Sequence, residues 1–176
     1  MNRHLKYFVA LALATILALF VLPAGILPRA GTPAVHAFVG KHISISLARQ
    51  RLRAWDGDRV VLSTLVTTGN PDLPTPTGWY HIFYKTTPYT FISPWPYGSE
   101  YWYPPSRVDW VMEFRTGGYF IHDAPWRSVF GPGSNTHGGA PGSNYTGTHG
   151  CVNVPYAAMR FLYDWAPIGT LVHVVP

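Results

Sequence analysis

Residues 42–68 read HISISLARQRLRAWDGDRVVLSTLVTT. From His42 to Leu47 polar and apolar residues alternate, which puts Ile43, Ile45 and Leu47 on one face of a half-buried strand. Leu52 to Trp55 reads as a second short strand. Asp56-Gly57 is a tight-hairpin signal, and the β-branched run Arg59 to Thr68 forms the return strand. The chain therefore opens with antiparallel strands. Gly69-Asn70-Pro71-Asp72 breaks the last of them, and Pro74-Thr75-Pro76-Thr77-Gly78 makes a rigid connection.

Downstream the β signal continues. Trp79 to Lys85 resumes the strand pattern. Residues 86–108 are dense in Tyr, Trp, Pro and Ser without periodicity, and read as a long aromatic loop with a short strand at Phe91-Ile92. Val108 to Phe114 and Tyr119 to His122 read as two strands split by Thr116-Gly117-Gly118, and 130–148 as a Gly/Ser/Asn/Thr loop. One helix begins near Pro155, with Ala158, Met159, Leu162 and Ala166 along one face. Pro167 and Gly169 end it, and Leu171 to Val175 closes as a strand. The expected fold is mainly β, two packed sheets with one C-terminal helix.

Composition agrees with that reading. The chain has 176 residues, 47% hydrophobic and 12% charged, which argues for a folded domain. Seventeen Gly and seventeen Pro argue against a helical bundle. Residues 1–37 carry Arg3, Lys6 and Arg29 and no acid, leaving ten basic against eight acidic residues in 38–176. A balance near neutrality gives no support to nucleic-acid binding.

The basic start, the uncharged run from Tyr7 to Pro28 and the small-x-small site Val35-His36-Ala37 have the order of a secretory signal peptide. The same run is long enough for an uncleaved N-terminal membrane anchor. Residues 1–37 are thus expected to be a signal peptide or anchor. Residues 38–176 are expected to be one extracytoplasmic domain, touching membrane only if the leader stays.

An exported chain with one cysteine poses a choice between a buried, inert thiol and a nucleophile. Cys151 lies in Gly147-Thr148-His149-Gly150-Cys151-Val152-Asn153-Val154-Pro155. A thiol a few residues before a helix is expected to be biased toward thiolate. Backbone N–H groups of the Gly150 turn would face a developing oxyanion. His122, at a strand end, is better held as a base than His149, which suits a wall or donor role, or His137, in the Gly-rich loop. His122, His137, His149 and Cys151 match no zinc spacing, and no cofactor fingerprint appears.

These residues resemble the L,D-transpeptidase family, the YkuD catalytic domain. The family's His, spacer, then Ser/Thr-His-Gly-Cys-x-Asn/Arg reads here as His122, spacer, Thr148-His149-Gly150-Cys151-Val152-Asn153. His122-Asp123-Ala124-Pro125-Trp126 and Thr75-Pro76-Thr77-Gly78-Trp79 are also similar to family segments, and the likeness covers about 40–176. The spacer is longer than usual, the extra stretch lying within Gly131 to Gly147, which keeps His137-Gly138 as a second candidate base; strand context favours His122.

The resemblance implies a β-sandwich-like fold and peptidoglycan stem peptides as substrate. Cys151 would attack the carbonyl before the terminal D-Ala of a tetrapeptide, and a second stem's amine would resolve the acyl-enzyme. His122 would move the protons, with the backbone carbonyl of Asp123 orienting it. His149, Gly150 and Cys151 would line the oxyanion region. Asn153 and Thr148 would hold the motif or substrate, and Tyr119, Trp126 and the aromatic loop would shape the acyl pocket. Carbapenem-class β-lactams would be covalent inhibitors. Water as acceptor would give an L,D-carboxypeptidase or cross-link hydrolase. A different class is a non-catalytic wall-binding module, in which the thiol is inert.

Overall fold

The computed structural model describes residues 40–137 and 146–176; the expected leader and part of the Gly-rich loop, 138–145, lie outside the described residues. The opening hairpin forms as read. Strand β1 (Lys41–Ser46) pairs antiparallel with β2 (Arg51–Asp56), which turns at Gly57 into β3 (Arg59–Leu65). The alternation buries Ile43, Ile45, Leu52 and Ala54 completely. The closing strand β11 (Leu171–Val175) joins β1 in parallel and pairs antiparallel with β4 (Gly78–His81). The five-stranded sheet runs β3-β2-β1-β11-β4.

A second sheet holds β5 (Tyr84–Thr86), β8 (Val111–Arg115), β9 (Tyr119–Asp123) and β10 (Val152–Val154), in the order β10-β9-β8-β5. Helix α1 (Tyr156–Trp165) follows β10 directly. Met112, Phe114, Ile121, Val152 and Val154 from this sheet share one core with the inward face of the first sheet and with Met159, Leu162 and Ala166. The mainly β, one-helix reading is therefore correct. Lys85 Nζ donates to the carbonyls of Tyr163 and Ala166, which meets the acceptors that the helix end leaves open.

Five segments differ from the sequence reading, each for a local reason. Arg59 to Thr68 is not one strand. After Leu65 the chain leaves β2, because Gln50 takes over its polar groups: the Val66 N–H donates to Gln50 O and the Thr68 N–H to Gln50 Oε1. Residues 67–69 then bridge to Asn153 and Thr148. Trp79 to Lys85 splits into β4 and β5 in different sheets, with buried Ile82 at the corner. The stretch 86–108 keeps an aromatic loop over 92–105, and the short strand expected at Phe91-Ile92 lies slightly earlier. It contains a hairpin, β6 (Tyr89–Phe91) with β7 (Ser106–Val108), seated through Tyr89 and Phe91 on Phe120. Val108 to Phe114 is cut at Asp109-Trp110, whose N–H groups both donate to the Asp123 carboxylate. Between Cys151 and the helix stands the buried strand β10, where the sequence pattern assigns no element.

Candidate active site

Strand β10 is what builds the site. It lies parallel to β9, with Val152 opposite Ile121, Asn153 opposite His122 and Val154 opposite Asp123. Successive side chains of a strand point to opposite faces. Ile121, Val152 and Val154 go to the core, so Phe120, His122, Cys151 and Asn153 share the other face. All four line a cavity of about 500 Å³. The imidazole and the thiol proposed for chemistry thus reach one cavity from adjoining parts of the sheet, His122 from β9 and Cys151 from the residue just before β10.

The imidazole of His122 is held at both nitrogens. Nδ1 is 2.6 Å from the backbone carbonyl oxygen of Asp123, to which it donates, and Nε2 accepts from Asn153 Nδ2 at 3.0 Å. His122 is 4% exposed. Burial pushes its pKa down to about 4, with the Asp123 hydrogen bond opposing and the Arg127 charge assisting. The Asp123 side chain faces away from the imidazole, toward the Asp109 and Trp110 N–H groups.

Cys151 is only partly exposed, and its thiol lies 3.4 Å from the carbonyl oxygen of Gly118. Burial pushes the thiol up to about 11, the Phe120 backbone lowers it somewhat, and nearby Glu113 raises it further. The expected bias toward thiolate is therefore corrected. The helix begins at Tyr156, beyond β10, and desolvation outweighs a distant dipole. At pH 7 the cavity holds a neutral thiol and a neutral imidazole.

The turn before Cys151 is sewn to the segment after β3. The Thr148 N–H donates to Thr68 O at 3.0 Å and the Asn70 N–H to Thr148 O at 2.9 Å. Asn153 and Thr67 exchange both backbone bonds. Buried Thr75 bridges the two: its Oγ1 accepts from the Gly69 N–H and donates to the Gly150 carbonyl, each at 2.9 Å. Thr148 Oγ1 accepts from the Gly150 N–H at 3.1 Å and donates to the Cys151 carbonyl. Gly150 has φ +108°, and a Cβ there would lie 2.6 Å from Tyr119 Cε1. Only glycine fits that bend.

The aromatic hairpin forms the opposite wall. Tyr89, Phe91, Trp95 and Tyr103 line the cavity with Trp126, Thr148 and His149. His149 is the latch between the hairpin segment and the cysteine turn. Its ring lies 5.0 Å from that of Trp95 and stacks on Tyr103 at 5.2 Å. Burial lowers its pKa.

The candidate residues thus divide. Cys151, His122, His149, Asn153, Thr148 and Trp126 meet at the cavity. Tyr119 does not line it; its ring packs beneath Gly150, under the Arg115 guanidinium at 4.6 Å. Gly150 braces the turn, and its N–H is taken by Thr148 instead of facing a ligand. His137 is exposed and 2.9 Å from Asp72, away from the cavity wall. Among the described residues no three His, Cys, Asp or Glu side chains converge to hold a metal ion. The sequence reading missed Arg127, whose signal was a cation directly after Ala-Pro-Trp in an apolar stretch. It also missed the bracing role of Thr75, whose signal was a threonine fixed between two prolines.

Comparison with known proteins converges on one family. The YkuD family, described as the L,D-transpeptidase catalytic domain, matches residues 40–174. L,D-transpeptidase 2 of Mycobacterium tuberculosis is 32% identical over 123 residues, which is 66% of this chain and 26% of that protein. The chain thus spans about a quarter of the length of the curated relative it matches. The structure is similar to that of a cysteine-to-serine mutant of Enterococcus faecium L,D-transpeptidase. The TM-score is 0.62 and the identity 26%, over 77% of this chain and 50% of that one. It is also similar to the E. faecium catalytic domain acylated by ertapenem. There the TM-score is 0.58 and the identity 25%, over 78% and 98% of the two chains. With a match running from the first described strand into the last, around a cavity that joins its cysteine and histidine, the chain belongs to the family of L,D-transpeptidase catalytic domains.

Proposed function

We propose that this chain is an exported, cysteine-dependent L,D-transpeptidase that cross-links peptidoglycan stem peptides. The observation that carries the reading is the convergence of Cys151 and His122 on one cavity, with the imidazole fixed by the Asp123 carbonyl. With Nδ1 donating, Nε2 is the basic nitrogen and faces the side of β9 and β10 that carries the thiol.

The donor is a stem tetrapeptide ending in D-Ala. The Cys151 sulfur attacks the carbonyl before D-Ala while the thiol proton passes to His122 Nε2, from which Asn153 withdraws its hydrogen bond. The tetrahedral intermediate collapses, the imidazolium gives its proton to the departing D-Ala amine, and a thioester remains on Cys151. An amine from a second stem then attacks the thioester and gives a proton to Nε2. Collapse returns that proton to the sulfur, leaving a cross-link between third-position residues. A neutral resting pair suits this route, because charge develops only as the sulfur attacks. The apolar wall of Phe91, Phe120 and Trp126 disfavours water as the competing acceptor.

The signal-peptide-like order of residues 1–37 supports export to the cell envelope, where the substrate lies. The ertapenem-acylated relative supports carbapenems as acylating agents of Cys151. Mass spectrometry of muropeptides after incubation with disaccharide-tetrapeptide tests the activity. A dimer lacking one D-Ala, absent with Cys151→Ala, is the expected product. Tripeptide without dimer makes the chain a carboxypeptidase instead. Loss of acylation in His137→Ala but not in His122→Ala reverses the choice of base.

A further inference from the structure

Arg127 is the one Lys, Arg, Asp or Glu among the residues lining the cavity. None of the eight acidic residues of the chain lies on that wall. The thiol and both cavity histidines are held in their neutral forms at pH 7, since burial raises the first and lowers the others. The cavity therefore presents a single formal charge to a ligand, and it is positive.

The guanidinium is placed with care. Arg127 is 8% exposed. Its backbone N–H closes a turn on the Ala124 carbonyl at 3.0 Å, directly after the strand that carries His122. Its Nη2 donates to the Thr146 carbonyl at 2.6 Å, two residues before the cysteine turn begins. One side chain thus ties the β9 end to the approach to Thr148-His149-Gly150-Cys151. Burial lowers the guanidinium to about 10, which leaves it protonated at neutral pH. A buried guanidinium in an apolar wall attracts a carboxylate more strongly than an exposed one does, because little water screens its charge.

We propose that Arg127 receives the free C-terminal carboxylate of the donor peptide and so selects a stem whose scissile residue is its last. This rests on the transpeptidase reading above. In a tetrapeptide donor the terminal carboxylate lies one residue beyond the attacked carbonyl. A group that reads it has to share the cavity with the thiol, as Arg127 does. A chain extended by one residue, or capped as an amide, puts a neutral group beside the cation. The leaving group is then poorly held, and acylation slows.

The test uses the purified protein and a synthetic tetrapeptide stem, as free acid and as C-terminal amide, with lysine or diaminopimelate at the third position. Acylation of Cys151 is followed by intact mass. The wild type is expected to favour the acid over the amide by about 100-fold in kcat/KM, whichever third residue is present. Arg127→Gln is expected to lose that preference by slowing on the acid only, and Arg127→Lys to retain part of it. Alkylation by neutral iodoacetamide at the wild-type rate shows that the variant site is intact. If Arg127→Gln does not fold, the wild-type acid-to-amide ratio and Arg127→Lys decide. Equal wild-type rates on acid and amide overturn the assignment while leaving transpeptidation standing. An effect of Arg127 confined to diaminopimelate peptides moves the cation to the side-chain carboxylate and also overturns it. No acylation by any of the four peptides overturns the transpeptidase reading itself, and this one with it.

Discussion

The thiol of Cys151 is pushed up to about 11, chiefly by burial and further by Glu113. A free thiolate is therefore scarce at pH 7, and reaction with a neutral electrophile depends on its fraction. Iodoacetamide alkylation of Cys151 is expected to accelerate about tenfold per pH unit from pH 7 to 9, with no plateau below about pH 10. A plateau near pH 7 contradicts the neutral pair. Glu113→Gln removes the like charge and is expected to raise the rate at pH 7 several-fold, about what a pKa change of half a unit gives. An unchanged rate means that desolvation acts alone. The two residues proposed for the chemistry stood out in the sequence because Cys151 is the chain's one thiol and His122 lies near a strand end, and the structure brings both to one cavity. Their electrostatics were not, because burial is set by the hairpin and strands packed round them.

At the scale of elements, three residues of β10 decide the site. The sequence hid them because Val152-Asn153-Val154 is short and its partner β9 is remote in the chain. The hairpin of β6 and β7 was hidden too, since ring contacts onto Phe120 seat it and alternation is lacking. The opening strands, by contrast, alternate and close through a local turn, so their pattern sufficed. Thr75 holds the cysteine turn from outside these strands. Thr75→Val leaves the buried Gly69 N–H and Gly150 carbonyl without their partner. Urea unfolding is expected to show a loss of about 2–4 kcal/mol, with acylation slowed as well. Thr75→Ser, which keeps the hydroxyl, is expected to recover most of both. Gly150→Ala combines the positive φ with a collision against Tyr119. The double variant Gly150→Ala/Tyr119→Ala is expected to regain only part of the lost stability, because the backbone strain remains. Full recovery shows that the ring contact was the whole cost.

For the whole molecule, one buried histidine ties stability to pH. His122 has a folded-state pKa near 4, below the value of 6.5 that it regains on unfolding. Between those values the unfolded chain binds the extra proton, so stability is full above about pH 6.5 and falls as pH drops toward 4. The loss from this group amounts to about 3 kcal/mol at most. Denaturant melts at pH 7 and pH 5 are expected to show it in the wild type and not in His122→Gln. Equal slopes in both proteins assign the acid sensitivity to other groups. The two-sheet plan with a late helix was readable from periodicity and from Pro155, Pro167 and Gly169. The joining of Thr67 and Gly69 to Asn153 and Thr148 was not, since it links the opening hairpin to the cysteine turn across some eighty residues. That joint makes the fold and the site one structure.

In the proposed reaction Cys151 carries the donor peptide as a thioester. Intact-protein and peptide-mapped mass spectrometry tests it most directly, on protein quenched in acid seconds after mixing with disaccharide-tetrapeptide. The expected result is an adduct equal to the donor less D-Ala on the peptide containing Cys151, discharged when an acceptor amine is added. Cross-linked product formed with Cys151 unmodified throughout, or formed equally well by Cys151→Ala, contradicts it.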